Sequence, residues 1–167
     1  MKPLRYLNGY SPATIHKVTQ IIEQKRLTDF LKQRYPTLHA ITTDKALYDY
    51  TVEIKNDYLK KTPPLSKVIY DNTIHTLHDA LGLHTYAHRL QGNKIKRKNE
   101  IRIGTLFKQT PLEFLRMIVV HELAHLKEKE HNKAFYQLCT HIEPHYSEYE
   151  FHTRLYLIHL ELLGKVW

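Results

Sequence analysis

The stretch from Thr110 to His125 limits what this chain can fold into more than any other. Thr110, Pro111 and Glu113 read as a helix start, with Thr110 as N-cap, Pro111 at the first helical position and Glu113 closing a capping box. The following turns hold Leu112, Phe114, Leu115, Met117, Ile118, Val119 and Val120, apolar around most of the circumference. A helix of that kind has to be buried, so the rest of the chain must wrap it. At its end the same helix turns polar at His121, Glu122 and His125. Unpartnered polar groups in a core cost roughly 1–3 kcal/mol each, so these three need a reason to be there.

One metal ion shared between the histidines is a sufficient reason. Residues four apart on a helix lie on one face, so the imidazoles of His121 and His125 can reach the same ion. Glu122, beside the first of them, is then placed to take a proton from a water molecule. The alternative is a pair of core histidines hydrogen-bonded to carbonyls or carboxylates, with Glu122 in a salt bridge. His131 lies six residues beyond His125, off the same helical face, so a ligand role for it requires the chain to bend. Metzincin proteases with this spacing bend at a glycine, where this chain has Glu128, and their downstream Met-turn has no counterpart because Met1 and Met117 are the only methionines. The helix is therefore expected to end on a non-glycine residue with positive φ. The alternative for His131 is a place next to the N-cap of a following helix.

Around this helix the remaining elements follow from caps and periodicity. Ser11 before Pro12 starts a helix expected to run from Pro12 to Tyr35, and a second amphipathic helix spans Asp44 to Lys61 before Pro63-Pro64. Lys67 to Tyr70 is a strand, after which Asp71 or Asn72 caps a helix through Ile74 and Leu77 that ends at Gly82. His75 and His78 on that stretch are read as solvated. His84 to Leu90 and Glu100 to Ile103 are strands joined through the Gly92-Asn93 turn region. A short helix from Asn132 to Ile142, a break at Pro144 and a last helix from Glu148 to Leu163 complete the chain. Cys139 on the apolar face of the short helix reads as packing.

Composition bounds the class and the partners. With 42% hydrophobic and 25% charged residues, a polar first ten residues and no long apolar run, a soluble protein without a signal peptide or membrane span is expected. A single cysteine excludes an internal disulfide framework and points to the cytoplasm. A formal charge of +8 favours encounters with nucleic acids and nucleotides. The densest basic run, Lys94 to Lys98, reads as a solvated strand or turn whose lysines protect a sheet edge, with a polyanion site as the alternative.

Three blocks carry a family resemblance: Leu81-Gly82-Leu83-His84-Thr85, Asn99-Glu100-Ile101-Arg102-Ile103-Gly104 and the long run from Val119 to Phe135. On these the chain resembles the bacterial YgjP-like metallopeptidase-domain family, distantly similar to the SprT and Wss1-type zincin proteases. The resemblance implies a zincin-like catalytic domain, zinc on His121, His125 and His131, Glu122 as the base, and Phe135 packing the following helix against the metal helix. The expected fold is α+β and zincin-like, with an N-terminal helix pair, a small mostly antiparallel sheet, a central metal-binding helix and C-terminal helices. It is read as one domain over residues 1–167, with residues 1–64 a helical part and 65–167 the metal-binding core. By the same resemblance the strand Ile101 to Ile103 is a platform for extended substrate.

The first functional expectation is a zinc metallopeptidase, in which Glu122 activates zinc-bound water for attack on an amide. Tyr136, His145, Tyr146 and Arg102 are chemically able to stabilise the oxyanion, and sequence does not choose among them. The alternative keeps the metal and changes the substrate to a nucleotide or another polyanion, hydrolysed at phosphorus. A further alternative is a nucleic-acid or protein-binding module with structural zinc. That module needs a fourth protein ligand, for which Glu148 and Glu150 are the carboxylates to inspect.

Overall fold

In a computed structural model, residues 2–74 and 99–167 are described. The expected helix through His75 and His78 to Gly82, the strand His84 to Leu90 and the basic run Lys94 to Lys98 lie outside them. Ser11 caps the first helix as its side chain requires: Oγ accepts from the Thr14 amide at 3.1 Å, with Pro12 in the first turn of α1 (Pro12–Glu23). The expected continuous helix to Tyr35 is broken. Lys25 takes φ 58°, Lys25 N donates to Ile22 O and Arg26 N to Ile21 O, both at 3.0 Å, and α2 (Leu27–Arg34) begins afresh. Those two bonds are the Schellman pair that closes a helix, here on a lysine where glycine is usual. The polar run Gln24-Lys25-Arg26 has no apolar side chain to hold a straight helix on the core, and the break lets Leu27, Leu31 and Tyr35 bury instead.

The third helix, α3 (Asp44–Tyr58), is capped by Thr43, whose Oγ1 accepts from Ala46 N at 3.1 Å. It ends three residues before Lys61 because the chain turns at Leu59 to bury that side chain. Asp44 at its start accepts from Tyr70 N at 2.9 Å and so ties α3 to the first strand, β1 (Lys67–Asp71).

Among the described residues, β1 pairs only with β2 (Glu100–Gly104), and the pairing is parallel, from Lys67↔Glu100 to Asp71↔Gly104. This differs from the mostly antiparallel sheet expected. The expectation rested on a hairpin between residues 84–90 and 100–103, and the first of those segments is not among the described residues. The segment from Asn72 to Asn99 that separates the paired strands is long enough for the crossover that parallel pairing requires. Val68, Tyr70, Ile101 and Ile103 fill the buried face, while Arg102 on the other face reaches Asp71 at 3.1 Å and Glu100 at 3.3 Å.

A 3-10 turn, Thr105–Gln109, leads from β2 into α4 (Leu112–Ala124). The expected capping box does not form. Pro111 stays extended at the helix boundary, and the buried Thr110 hydroxyl donates to Phe107 O and Pro111 O instead of accepting from the helix. The burial expected of α4 is complete: Phe114, Leu115, Met117, Ile118, Val119 and Val120 are all at most 1% exposed. Two helices follow, α5 (Lys133–Ile142) and α6 (Tyr146–Leu163). The last starts two residues earlier than expected because Glu143 accepts from His145 N at 2.7 Å and turns the chain beyond Pro144.

The N-terminal segment packs on α6. Arg5 pairs with Glu161, the Tyr6 hydroxyl donates to Glu161 at 2.8 Å, and Arg154 donates to Tyr6 O at 2.9 Å. Thr28 meets His159 at 2.6 Å and Tyr35 meets His152 at 2.5 Å. Phe114 of α4 sits beneath this contact, its ring 4.8 Å from Tyr35 and 5.9 Å from Trp167. Phe114→Ala is therefore expected to destabilise the protein by about 3–5 kcal/mol, measured by urea denaturation, since it empties a fully buried aromatic site shared by three elements. Among the described residues no helix is long and apolar enough to cross a membrane.

Candidate metal centre

Helix α4 delivers the first two histidines and the turn after it delivers the third. His121 is 1% exposed, His125 is half-buried as the residue that closes the helix, and His131 is exposed. The bend between them needs no left-handed residue, because the positive-φ non-glycine residues among those described are Lys25 and Asn99 alone. The turn is closed by right-handed bonds instead, Leu126 N to Leu123 O, Lys127 N to Ala124 O and Glu128 N to Ala124 O, at 2.9–3.1 Å. The ring of His125 then pins it, with Nδ1 donating to the Glu128 carbonyl at 2.9 Å.

The three Nε2 atoms converge, at 3.3 Å between His121 and His125, 3.0 Å between His125 and His131, and 3.2 Å between His131 and His121. Nitrogens held about 2.0–2.1 Å from one tetrahedral zinc ion stand roughly 3.3–3.4 Å apart, so this triangle is of the size a single ion requires. The carbonyl facing Nδ1 of His125 fixes the proton on that nitrogen and leaves Nε2 with its lone pair turned to the other two rings. The three histidines form a group that could hold a metal ion.

The rings are oriented from behind. Phe135, fully buried at the start of α5, stacks on His125 at 4.5 Å and 29° and meets His121 edge-on at 4.9 Å. Asn132 sets that helix in place, its Oδ1 accepting from Phe135 N at 2.9 Å. The Tyr146 hydroxyl lies 2.8 Å from Nδ1 of His121, and its side chain is fully buried. Burial holds the Tyr146 phenol well above its ordinary value, so it stays a neutral hydrogen-bonding group. When Nε2 of His121 acts as a ligand, Nδ1–H donates to the Tyr146 oxygen.

Of the four oxyanion candidates, Tyr146 is thus engaged with His121. Arg102 is engaged with Asp71 and Glu100, and the exposed His145 lies 3.9 Å from Glu148. Tyr136 stands beside His131, with ring centroids 6.4 Å apart. Glu148 pairs with Arg34 at 2.9 Å and Glu150 with Arg154 at 3.0 Å, so neither joins the triad. Cys139 is buried and burial pushes its thiol up to about 12, as expected of a packing residue. Glu122 sits half-buried on α4 between the two helical histidines.

The partnership of Tyr146 with His121 was not legible from spacing, since the two lie 25 residues apart on different helices. Tyr146→Phe is expected to weaken metal affinity by about 10–100-fold in a chelator competition, because it removes the oxygen that holds the ligand ring.

The model of the family described as YgjP-like, metallopeptidase domain, matches residues 87–154. A UTP pyrophosphatase of Escherichia coli (strain K12) is 57% identical over 162 residues, which cover 97% of this chain and 97% of that protein. No solved structure matches the chain significantly.

Proposed function

This chain belongs to the YgjP-like family, and from that premise we propose that it is a metal-dependent hydrolase of a nucleoside triphosphate, cleaving between the α- and β-phosphates. The observation that carries this reading is the identity of 57% to a UTP pyrophosphatase along nearly the whole of both chains. It favours the nucleotide over the amide that the motif first brings to mind. The formal charge of +8 suits a polyanionic substrate.

In this reading His121, His125 and His131 hold the ion, zinc by its donor set, in a zincin-like arrangement. When bound, zinc would supply positive charge against phosphate oxygens and a more acidic water. Tyr146 and the Glu128 carbonyl keep the His121 and His125 rings in the ligating tautomer. Glu122 accepts a proton from water as the water oxygen bonds to the α-phosphorus. The α–β bridging P–O bond breaks, its electron pair leaves with pyrophosphate, and a nucleoside monophosphate remains.

The family's description as a metallopeptidase domain supports a second reading, because the same three nitrogens and carboxylate serve attack at a carbonyl. Purified protein incubated with zinc and either UTP or unfolded casein separates the two. The expected products are UMP and pyrophosphate, with casein intact. Casein fragments without UTP turnover would replace the nucleotide reading with the peptidase one.

A further inference from the structure

A nucleotide has two recognisable halves, and the triad with Glu122 accounts for the phosphate half alone. The base half needs a surface with a π face one ribose away from the reacting phosphorus. Two of the aromatic rings around the triad are closed to it, since Phe135 and Tyr146 are fully buried beneath the histidines. Tyr136 is different. It follows Phe135 on α5, is 37% exposed, and lies 6.4 Å from the ring of His131, the exposed member of the triad. Phe135 meets it edge-on at 5.1 Å and 84°, and Tyr146 lies 6.4 Å away, so the ring is braced from the protein side.

We propose that the exposed ring of Tyr136 is the platform on which the nucleobase of the substrate stacks, beside the histidine triad. The proposal rests on the nucleotide reading and adds a substrate subsite to it. An aromatic platform contributes stacking with any base, so Tyr136 supplies affinity for nucleotides as a class and the choice of base is made elsewhere.

The test compares wild type with Tyr136→Leu and Tyr136→Phe in steady-state hydrolysis of UTP, with inhibition by inorganic pyrophosphate, which has no base, measured in parallel. Tyr136→Leu is expected to raise KM for UTP about 5–100-fold with kcat nearly unchanged and the pyrophosphate inhibition constant within twofold of wild type. Tyr136→Phe, which keeps the ring, is expected to stay within about threefold of wild type. An unchanged KM in the leucine variant overturns the platform, as does a matching rise in the pyrophosphate constant, which would mean a general disturbance of the site. A phenylalanine variant as weak as the leucine one also overturns it, by assigning the contact to the hydroxyl. Failure of wild type itself to hydrolyse UTP sinks the nucleotide reading, and that result is separate from any of these.

Discussion

Substituting His121 with alanine is expected to remove bound zinc altogether, lowering affinity by at least about 10³-fold and hydrolysis to background. Loss of a mere ring-orienting partner typically costs 10–100-fold, and here a direct ligand goes. His121 is the most enclosed of the three, with Phe135 against its edge and Tyr146 on its far nitrogen, so its loss also leaves a cavity. Some loss of fold stability is expected with it. His131→Ala supplies the control, because that ring is exposed and its removal should leave thermal stability of the metal-free protein unchanged while zinc is lost. Elemental analysis after dialysis reads both variants. Zinc retained at one per chain in His131→Ala would make His131 a bystander and require a different third ligand.

The second large effect concerns chemistry without binding. Glu122→Gln keeps the size of the side chain and removes its ability to take a proton, so kcat is expected to fall by about 10²–10⁴-fold. Zinc content should stay at the wild-type level, because Glu122 is not in the group of three converging nitrogens. The combination of full metal and lost turnover is what separates a base from a ligand. If the glutamine variant retains more than a tenth of wild-type kcat, the proton goes to another group, and the base assignment fails.

What could be read in the chain beforehand followed how local each signal was. Ser11 with Pro12 announces α1, and the apolar run from Phe114 to Val120 announces a buried helix, because caps and periodicity act within a few residues. The His-Glu-x-x-His spacing is of the same kind, and the structure brings His121, His125 and His131 together as that spacing and the resemblance imply. Features set by distant partners were not legible. The break at Lys25 depends on where Leu27 and Leu31 find a core, and the parallel register of β1 and β2 depends on pairing across a long connection. Thr110 looked like a cap and became a donor to carbonyls once buried, and the bend before His131 used the His125 ring in place of a special backbone residue. The choice between amide and nucleotide stayed open in the sequence for a chemical reason: one metal, three imidazoles and a carboxylate serve carbonyl and phosphorus alike.

The clasp between the N-terminal segment and α6 has a consequence for how the chain is made. Arg5 and Tyr6 meet Glu161, Tyr6 also takes Arg154, Thr28 meets His159 and Tyr35 meets His152. A ribosome issues the first group long before the second, at about 5–20 residues per second, so these contacts wait roughly 6–25 s after Tyr35 is joined until Glu161 is added. Throughout that interval Tyr6, Leu7 and Leu31 lack the surface that finally covers them, and a nascent chain stalled before α6 presents them to chaperones or to other stalled copies. The clasp thus forms only once α6 has been made, late relative to the elements it holds in place.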